Sequence, residues 1–294
     1  MSLFTGSGVA IVTPMHADGS VNYPVLKELI EFQLENGTDA IIICGTTGEA
    51  STMTDQEQID AVRFTVETVA KRAVVLAGAG SNDTAHAIEL AKGCEATGVD
   101  GVLLVTPYYN KTTQKGLIKH YTAIANSINI PVLLYNVPGR TGLSISPKTC
   151  YELSKVKNIV GIKEASGNFS NIAEIAALCG PDFDLYSGND DQNIPILSLG
   201  GKGVISVLAN VAPKQTHDMV EKFLSGDTKG AAKLQLESIE LINALFCEVN
   251  PIPVKTALNL MGFDVGPCKA PLCEMEAEHI EQLKTAMKNY GLLK

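Results

Sequence analysis

A single lysine, Lys163, stands near the end of an apolar, β-type run that spans Ile159–Ala165. At the carboxyl end of a buried parallel strand such a lysine loses its charge readily, because burial without a partner disfavours the ammonium form. The neutral amine is a nucleophile toward carbonyl carbon and can form a Schiff base. The residue therefore indicates covalent carbonyl chemistry, although a strand-end lysine that points into solvent would have no such role.

Polar side chains also follow the other predicted strands. They comprise four hydroxyl groups and one guanidinium, on Thr46, Thr47, Tyr109, Tyr135 and Arg140. A tyrosine hydroxyl can donate and accept a proton, and the planar guanidinium of arginine pairs with carboxylates. The set lacks the histidines, cysteines and carboxylates that a metal site needs. It predicts chemistry on the carbonyl group of an anionic substrate, without a metal.

Eight short apolar runs alternate with helical segments along the chain. The runs are Gly8–Pro14, Asp39–Gly45, Ala73–Gly80, Gly101–Pro107, Pro131–Pro138, Ile159–Ser166, Phe183–Asn189 and Gly203–Asn210. They are aliphatic nearly throughout, as strands covered on both faces are. Eight strand–helix units at intervals of about 20–35 residues predict an α/β fold, the (β/α)8 TIM barrel, which typically takes about 250 residues. A doubly wound sheet is the alternative, but no dinucleotide glycine fingerprint supports it.

Amphipathic segments between and after these runs predict the helices. Apolar stripes mark Asp55–Lys71 and Asp83–Thr97, and we expect Asp55 and Asp83 to be their N-caps. The sequence predicts a catalytic barrel over residues 1–225 and a C-terminal helical region over residues 226–294. The predicted helices after the eighth strand are Pro213–Leu224, Asp227–Cys247, Val254–Met261 and Glu274–Tyr290.

Composition and charge argue against several classes of function. The chain has 294 residues, 23 Lys+Arg and 32 Asp+Glu, which give a formal net charge of -9. An acidic surface disfavours nucleic acid and anionic membranes as partners. No apolar run has the length of a membrane span, and Met1–Gly6 lacks the features of a signal peptide. Seven dispersed cysteines suit reduced thiols, so we expect a cytoplasmic protein.

Three motifs resemble those of the pyruvate-dependent class I aldolase superfamily, which includes the N-acetylneuraminate lyases. They lie at Gly45–Glu49, Tyr135–Gly142 and Gly161–Ala165. Within the superfamily the chain is most similar, over nearly its whole length, to the dihydrodipicolinate synthase family. This resemblance implies a Schiff-base-forming lyase that condenses pyruvate with L-aspartate-4-semialdehyde to 4-hydroxy-tetrahydrodipicolinate. The reaction is the first committed step of the diaminopimelate route to lysine, and the resemblance implies no cofactor.

The resemblance also implies catalytic roles. Lys163 matches the lysine that forms the Schiff base with pyruvate, and Tyr135 matches the acid/base residue beside it. Thr46 and Tyr109 match the other members of a hydroxyl relay to solvent. In the family the relay tyrosine comes from the neighbouring subunit, and we expect a homotetramer built as a dimer of dimers.

Four further positions match substrate-binding residues of the family: Thr47, Arg140, Gly188 and Ile205. Thr47 belongs to the backbone pocket that holds the pyruvate carboxylate. Arg140 matches the residue at the mouth that binds the carboxylate of the second substrate. Gly188 and Ile205 match positions in the pocket wall.

One departure from the family pattern concerns feedback inhibition by lysine. Inhibited members bind lysine near segments that match Thr52–Gln58, Asn82–His86 and Tyr108, where an acidic side chain meets its ammonium group. His86 stands at that acidic position, and Gln58 replaces a histidine that is common in inhibited enzymes. Because a histidine holds an ammonium group less well than a carboxylate does, the sequence predicts weak or absent inhibition.

Two other functions remain open at the level of sequence. A lyase for N-acetylneuraminate or a 2-keto-3-deoxy sugar acid would use the same lysine, but a polyol substrate does not need a carboxylate clamp at Arg140. A non-catalytic barrel could serve as a binding or assembly protein. The presence together of Lys163, Tyr135 and Thr46 argues against that alternative.

Overall fold

A computed structural model describes residues 2–294 and contains a closed barrel of eight parallel strands in sequence order, with β1 paired to β8. The strands are β1 Gly6–Ala10, β2 Ala40–Ile43, β3 Val74–Gly78, β4 Gly101–Val105, β5 Val132–Asn136, β6 Ile159–Glu164, β7 Asp184–Ser187 and β8 Gly203–Ser206. The predicted (β/α)8 barrel is confirmed and the doubly wound alternative is wrong. Each strand is shorter than the apolar run that predicted it, because most of these runs continue into the loops at the carboxyl end of the barrel.

Helices surround the barrel and extend beyond its last strand. They are α1 Tyr23–Glu35, α2 Asp55–Val69, α3 Thr84–Glu95, α4 Gln114–Ala125, α5 Pro138–Thr141, α6 Pro147–Ser154, α7 Phe169–Cys179, α8 Asn193–Ser198, α9 Pro213–Leu224, α10 Thr228–Glu237, α11 Ile239–Leu245, α12 Ile252–Leu260 and α13 Ala277–Asn289. Across residues 2–294, no helix has the length and apolarity to cross a membrane.

Side-chain caps explain where two of these helices begin. Asp83 caps α3 by accepting a hydrogen bond from Ala85 N, as predicted. The predicted cap of α2 is wrong, because Thr54 and not Asp55 holds that position. Thr54 Oγ1 accepts from Glu57 N and the Glu57 carboxylate accepts from Thr54 N, so this reciprocal pair satisfies two backbone groups. Asp55 is therefore the first helical residue, and its carboxylate is available for another contact.

The single helix predicted for Asp227–Cys247 is also wrong, because two helices, α10 and α11, meet at Ser238. Ser238 is buried and its hydroxyl donates to Gln235 O. The break lets α10 pack against α9 while α11 packs against α13. The division of the chain into regions 1–225 and 226–294 stays a prediction.

Alternation along the strands decides which side chains enter the barrel. In β5, Leu133 and Tyr135 belong to the interior cluster, whereas Val132 and Leu134 pack against the surrounding helices. Phe4 stacks on Tyr186 in the same interior cluster, with ring centroids 4.3 Å apart. Polar side chains that point inward near the carboxyl end are therefore held in a rigid apolar frame.

Candidate active site

Strands β5 and β6 place Tyr135 and Lys163 side by side inside the barrel. The two residues are register partners, and Lys163 Nζ lies 4.4 Å from the centroid of the Tyr135 ring. Both are buried, at 5% and 7% exposure for Lys163 and Tyr135. Gly188 leaves room for the lysine, since a Cβ at this position would lie 2.9 Å from Lys163 Cε. The structure thus brings together three residues that the sequence assigned to the site.

A buried carboxylate, Asp190, lies near the same lysine. It accepts hydrogen bonds from Val207 N, Leu208 N and Ser206 Oγ, and so joins the loops after β7 and β8. Burial raises the pKa of the Asp190 carboxyl. The hydrogen bonds and the positive charge of Lys163 act in the opposite direction and limit that rise. Sequence reasoning gave Asp190 no role, because a polar residue after a strand is usual in a turn.

The turn after β2 carries Thr46 and Thr47. Its own hydrogen bonds run from Gly48 N to Gly45 O and from Glu49 N to Thr46 O. Within residues 2–294 the amides of Thr46 and Thr47 have no acceptor. Unused backbone N–H groups in a turn can hold an anion, and this role stays a prediction for the two threonines.

A pocket of about 330 Å³ at the carboxyl ends of the strands has Thr46, Tyr135 and Arg140 in its wall. Arg140 lies on the short helix α5, and its Nη2 donates to Asn250 O at 3.2 Å. The side chain of Asn250 donates in turn to Thr47 Oγ1 at 2.9 Å. One buried asparagine therefore joins the predicted carboxylate clamp to the turn after β2.

Asn250 was missed as a site residue, because its sequence context, Asn-Pro-Ile-Pro, indicates only a break before α12. It is 4% exposed, and its Oδ1 has no partner within the described part of the chain. A buried acceptor of this kind costs free energy unless something pairs with it. The available signal was a polar side chain next to a proline in an otherwise apolar segment.

A buried ion pair holds the turn after β2 in place. Lys255 Nζ lies 2.8 Å from Glu49 Oε1, and the two side chains are 2% and 1% exposed. Lys255 also donates to Thr13 O, and Glu49 Oε2 accepts from Lys269 N. Helix α12 is thereby fixed to the segment that carries Thr46. Glu49 was interpreted as a structural residue of this turn, but its partner, 206 positions away, was not foreseen.

Three of the predicted site residues, Thr46, Tyr135 and Arg140, line the pocket, whereas Lys163, Thr47, Gly188, Ile205 and Tyr109 do not. Ile205 is fully buried in the same interior cluster as Tyr135. Tyr109 follows β4 with a φ of 67°, is 92% exposed and does not line the pocket of its own chain. The fold of this chain therefore does not bring Tyr109 to Lys163.

Directly behind the Tyr135–Lys163 pair, a second cross-strand pair lies on the outer side of the barrel. Asn136 and Glu164 are register partners, and Asn136 Nδ2 donates to Glu164 Oε1. Glu164 Oε2 accepts from Ser166 N at 3.0 Å and Ser166 Oγ at 2.6 Å. Burial raises the pKa of the Glu164 carboxyl, while the hydrogen bonds from Asn136 and Ser166 oppose that rise. The pair fixes the ends of both strands.

We expect Glu164→Gln to lower kcat about tenfold and to leave the KM nearly unchanged. Both oxygens of the Glu164 carboxylate accept hydrogen bonds, whereas a glutamine amide has only one oxygen. The donor group of either Asn136 or Ser166 therefore loses its acceptor in the variant. The measurement is kcat and KM across pH, with Glu152→Gln as a control because Glu152 makes an exposed ion pair with Lys155. Equal kcat values for the two variants would contradict the prediction.

One part of the pocket wall, called the cleft below, contains Asp55 and His86, which contact each other. His86 Nε2 lies 2.8 Å from Asp55 Oδ1, and His86 Nδ1 lies 2.9 Å from Ser81 Oγ. Gln58 and Tyr108 line the same cleft. The cleft therefore does contain a carboxylate, that of Asp55, and it is already in contact with His86. The sequence interpretation missed this carboxylate because it assigned Asp55 to the helix cap.

A closed parallel barrel with a buried lysine and a pocket at the carboxyl ends of its strands has the architecture of a (β/α)8-barrel enzyme. The comparison with known families is more specific. The chain belongs to the dihydrodipicolinate synthetase family, whose family model matches residues 3–290. It is 60% identical over 294 residues to the 4-hydroxy-tetrahydrodipicolinate synthase of Lachnoclostridium phytofermentans, with 100% of both chains covered.

Solved structures agree with this assignment. The dihydrodipicolinate synthase of Cyanidioschyzon merolae with lysine bound has a TM-score of 0.97 and 43% identity, and the match covers 100% of both chains. The chloride-inhibited enzyme of Acinetobacter baumannii in complex with pyruvate has a TM-score of 0.96 and 42% identity, with 99% of this chain and 100% of that chain covered. The predicted family is confirmed, and with it the prediction of an enzyme.

Proposed function

We propose that this enzyme condenses pyruvate with L-aspartate-4-semialdehyde to 4-hydroxy-tetrahydrodipicolinate in the diaminopimelate route to lysine. The observation that carries the proposal is the placement of Lys163 beside Tyr135, both buried, next to a pocket with an arginine at its mouth. The names of the relatives support the reaction, and the Acinetobacter baumannii structure is a complex with pyruvate.

The reaction begins when pyruvate places its carboxylate on the amides of Thr46 and Thr47. The neutral amine of Lys163 attacks the keto carbon, and loss of water gives a protonated Schiff base. This cation withdraws electrons, so the pyruvate methyl group loses a proton and becomes an enamine. The ring of Tyr135 lies beside the amine, and its hydroxyl group is a side-chain group that can carry protons in both directions.

The enamine then attacks the aldehyde carbon of the second substrate, forming the new carbon–carbon bond. Arg140 pairs with the carboxylate of that substrate, since a planar fork suits bidentate pairing. Its hydrogen bond to Asn250 O holds the guanidinium in place at the pocket wall. The amine of the second substrate finally displaces Lys163 from the imine and closes the ring.

The exposed Tyr109 supports an oligomeric enzyme. At 92% exposure, a tyrosine beside another half-exposed tyrosine, Tyr108, forms an apolar patch that a partner subunit can cover. We infer that Tyr109 completes the hydroxyl relay with Thr46 and Tyr135 of a neighbouring subunit, in a homotetramer built as a dimer of dimers. We also place the enzyme in the cytoplasm.

The test is condensation of pyruvate with L-aspartate-4-semialdehyde, coupled to NADPH oxidation by the reductase that acts on the product. Turnover by the wild-type enzyme supports the proposal. If turnover is absent but borohydride traps pyruvate on Lys163, the lysine chemistry stands and the substrate is a sugar acid. If borohydride traps nothing, the proposal is wrong.

We expect the enzyme to resist inhibition by submillimolar lysine. The only carboxylate in the described lining of the cleft, Asp55, is already paired with His86, so a free ammonium group must share that carboxylate with the imidazole. The measurement is the initial rate against lysine concentration. His86→Glu should increase the sensitivity to lysine, because it adds a carboxylate and releases Asp55. Strong inhibition of the wild-type enzyme at submillimolar lysine would contradict the prediction.

A further inference from the structure

Two cysteines that are distant in sequence meet on the outside of the barrel. Cys150 lies in α6 and Cys179 is the last residue of α7, and these helices pack against each other. The two Sγ atoms are 3.9 Å apart. We propose that Cys150 and Cys179 form a redox site, a dithiol that a peroxide converts into a reversible intramolecular disulfide.

The two thiols differ in access to solvent, and this difference assigns their roles. Cys150 is fully buried, whereas Cys179 is partly exposed. The contact with the Cys150 sulfur lowers the pKa of the Cys179 thiol, while the same contact and burial raise the pKa of Cys150. Cys179, the more accessible of the two and the one that loses its proton more readily, is therefore the thiol that meets the oxidant, and Cys150 is the thiol that resolves the product.

Other half-buried cysteines lack this arrangement. Burial raises the pKa of the Cys247 thiol, and it raises the pKa of Cys268 to about 12. A thiol that keeps its proton is a poor nucleophile toward peroxide. The pair in α6 and α7 thus combines a reactive thiol with a second sulfur at contact distance.

The chemistry balances in two steps. The Cys179 thiolate attacks one oxygen of hydrogen peroxide, the O–O bond breaks, and hydroxide leaves to give a sulfenic acid. The sulfur of Cys150 then attacks the sulfenic sulfur, the S–O bond breaks, and water leaves with the Cys150 proton. In sum, two thiols are oxidised, one peroxide is reduced and two waters form.

Little movement is needed to form the bond. A disulfide has an S–S distance of about 2.0 Å, so the sulfurs must approach by about 2 Å from their contact of 3.9 Å. Cys179 ends its helix and is followed by Gly180 at a φ of 75°, a position that tolerates backbone adjustment. The disulfide would fasten α6 to α7 and protect Cys179 from irreversible oxidation.

The test is treatment of the reduced, full-length enzyme with hydrogen peroxide, followed by alkylation and tryptic peptide mapping. Each thiol lies alone in its tryptic peptide, Thr149–Lys155 for Cys150 and Glu164–Lys202 for Cys179. The expected result is a cross-linked pair of these peptides, lighter by two hydrogens than their sum, which dithiothreitol converts back into the two thiols.

Single variants separate the two roles. In Cys150→Ser the sulfenic acid on Cys179 should persist and react with dimedone, whereas Cys179→Ser should leave Cys150 unmodified. Cys273→Ser removes an exposed cysteine outside the pair and should leave the cross-link unchanged. Peroxide treatment that yields no cross-linked peptide in the folded enzyme would overturn the proposal. Over-oxidation of Cys179 with Cys150 still reduced would overturn it as well.

Discussion

Lys163→Ala is expected to lower the rate of condensation by roughly a thousandfold or more, because it removes the covalent nucleophile. No other described lysine is a register partner of Tyr135, whose ring lies 4.4 Å from Lys163 Nζ. The measurement is kcat/KM in the coupled assay, together with the mass of the protein after borohydride treatment in pyruvate. The wild-type enzyme should gain one reduced pyruvate adduct and the variant none.

Two further variants make this test specific. Lys163→Arg keeps the positive charge but lacks a primary amine, so it should be as inactive as the alanine variant. Lys157→Ala changes an exposed lysine that precedes β6 at the opposite end of the barrel, and it should retain full activity. A Lys163→Ala enzyme that still trapped pyruvate would show that the nucleophile is another residue.

The second large effect is expected on stability. Lys255→Met should lower the free energy of unfolding by about 3–5 kcal/mol, because it leaves the Glu49 carboxylate buried and without its cation. Loss of this size lowers the thermal midpoint by roughly 10 °C in a chain of this length. The measurement is denaturant and thermal unfolding of both proteins at one concentration, with pyruvate absent.

The control for this prediction is an ion pair at the surface. Lys71→Met removes the cation that pairs with Asp100, where the lysine side chain is 70% exposed, and should cost less than about 1 kcal/mol. The double variant Lys255→Met with Glu49→Gln should recover part of the loss, since it removes the unpaired charge. If Lys255→Met were no less stable than Lys71→Met, the buried pair would not hold the turn in the way proposed.

Local patterns were sufficient to predict the barrel. A strand buried on both faces is apolar throughout, and eight such runs with helical segments between them leave few other topologies. The same reasoning placed Lys163, Tyr135 and Thr46 at one end, because the carboxyl ends of all eight strands meet there. It was less reliable at boundaries, as the cap of α2 and the break at Ser238 show. In both places several neighbouring residues could satisfy the same backbone groups.

The sequence by itself determined the fold class, the family and the set of chemical groups at the mouth of the barrel, since these follow from local periodicity and short motifs. The tertiary structure alone decided how that set is held, through Asn250 against Thr47 and Lys255 against Glu49. It alone also brought Cys150 to Cys179 on the outside of the barrel. Each contact joins residues far apart in the chain. Burial makes these contacts matter, because a polar group removed from water depends on the partner that the fold brings to it.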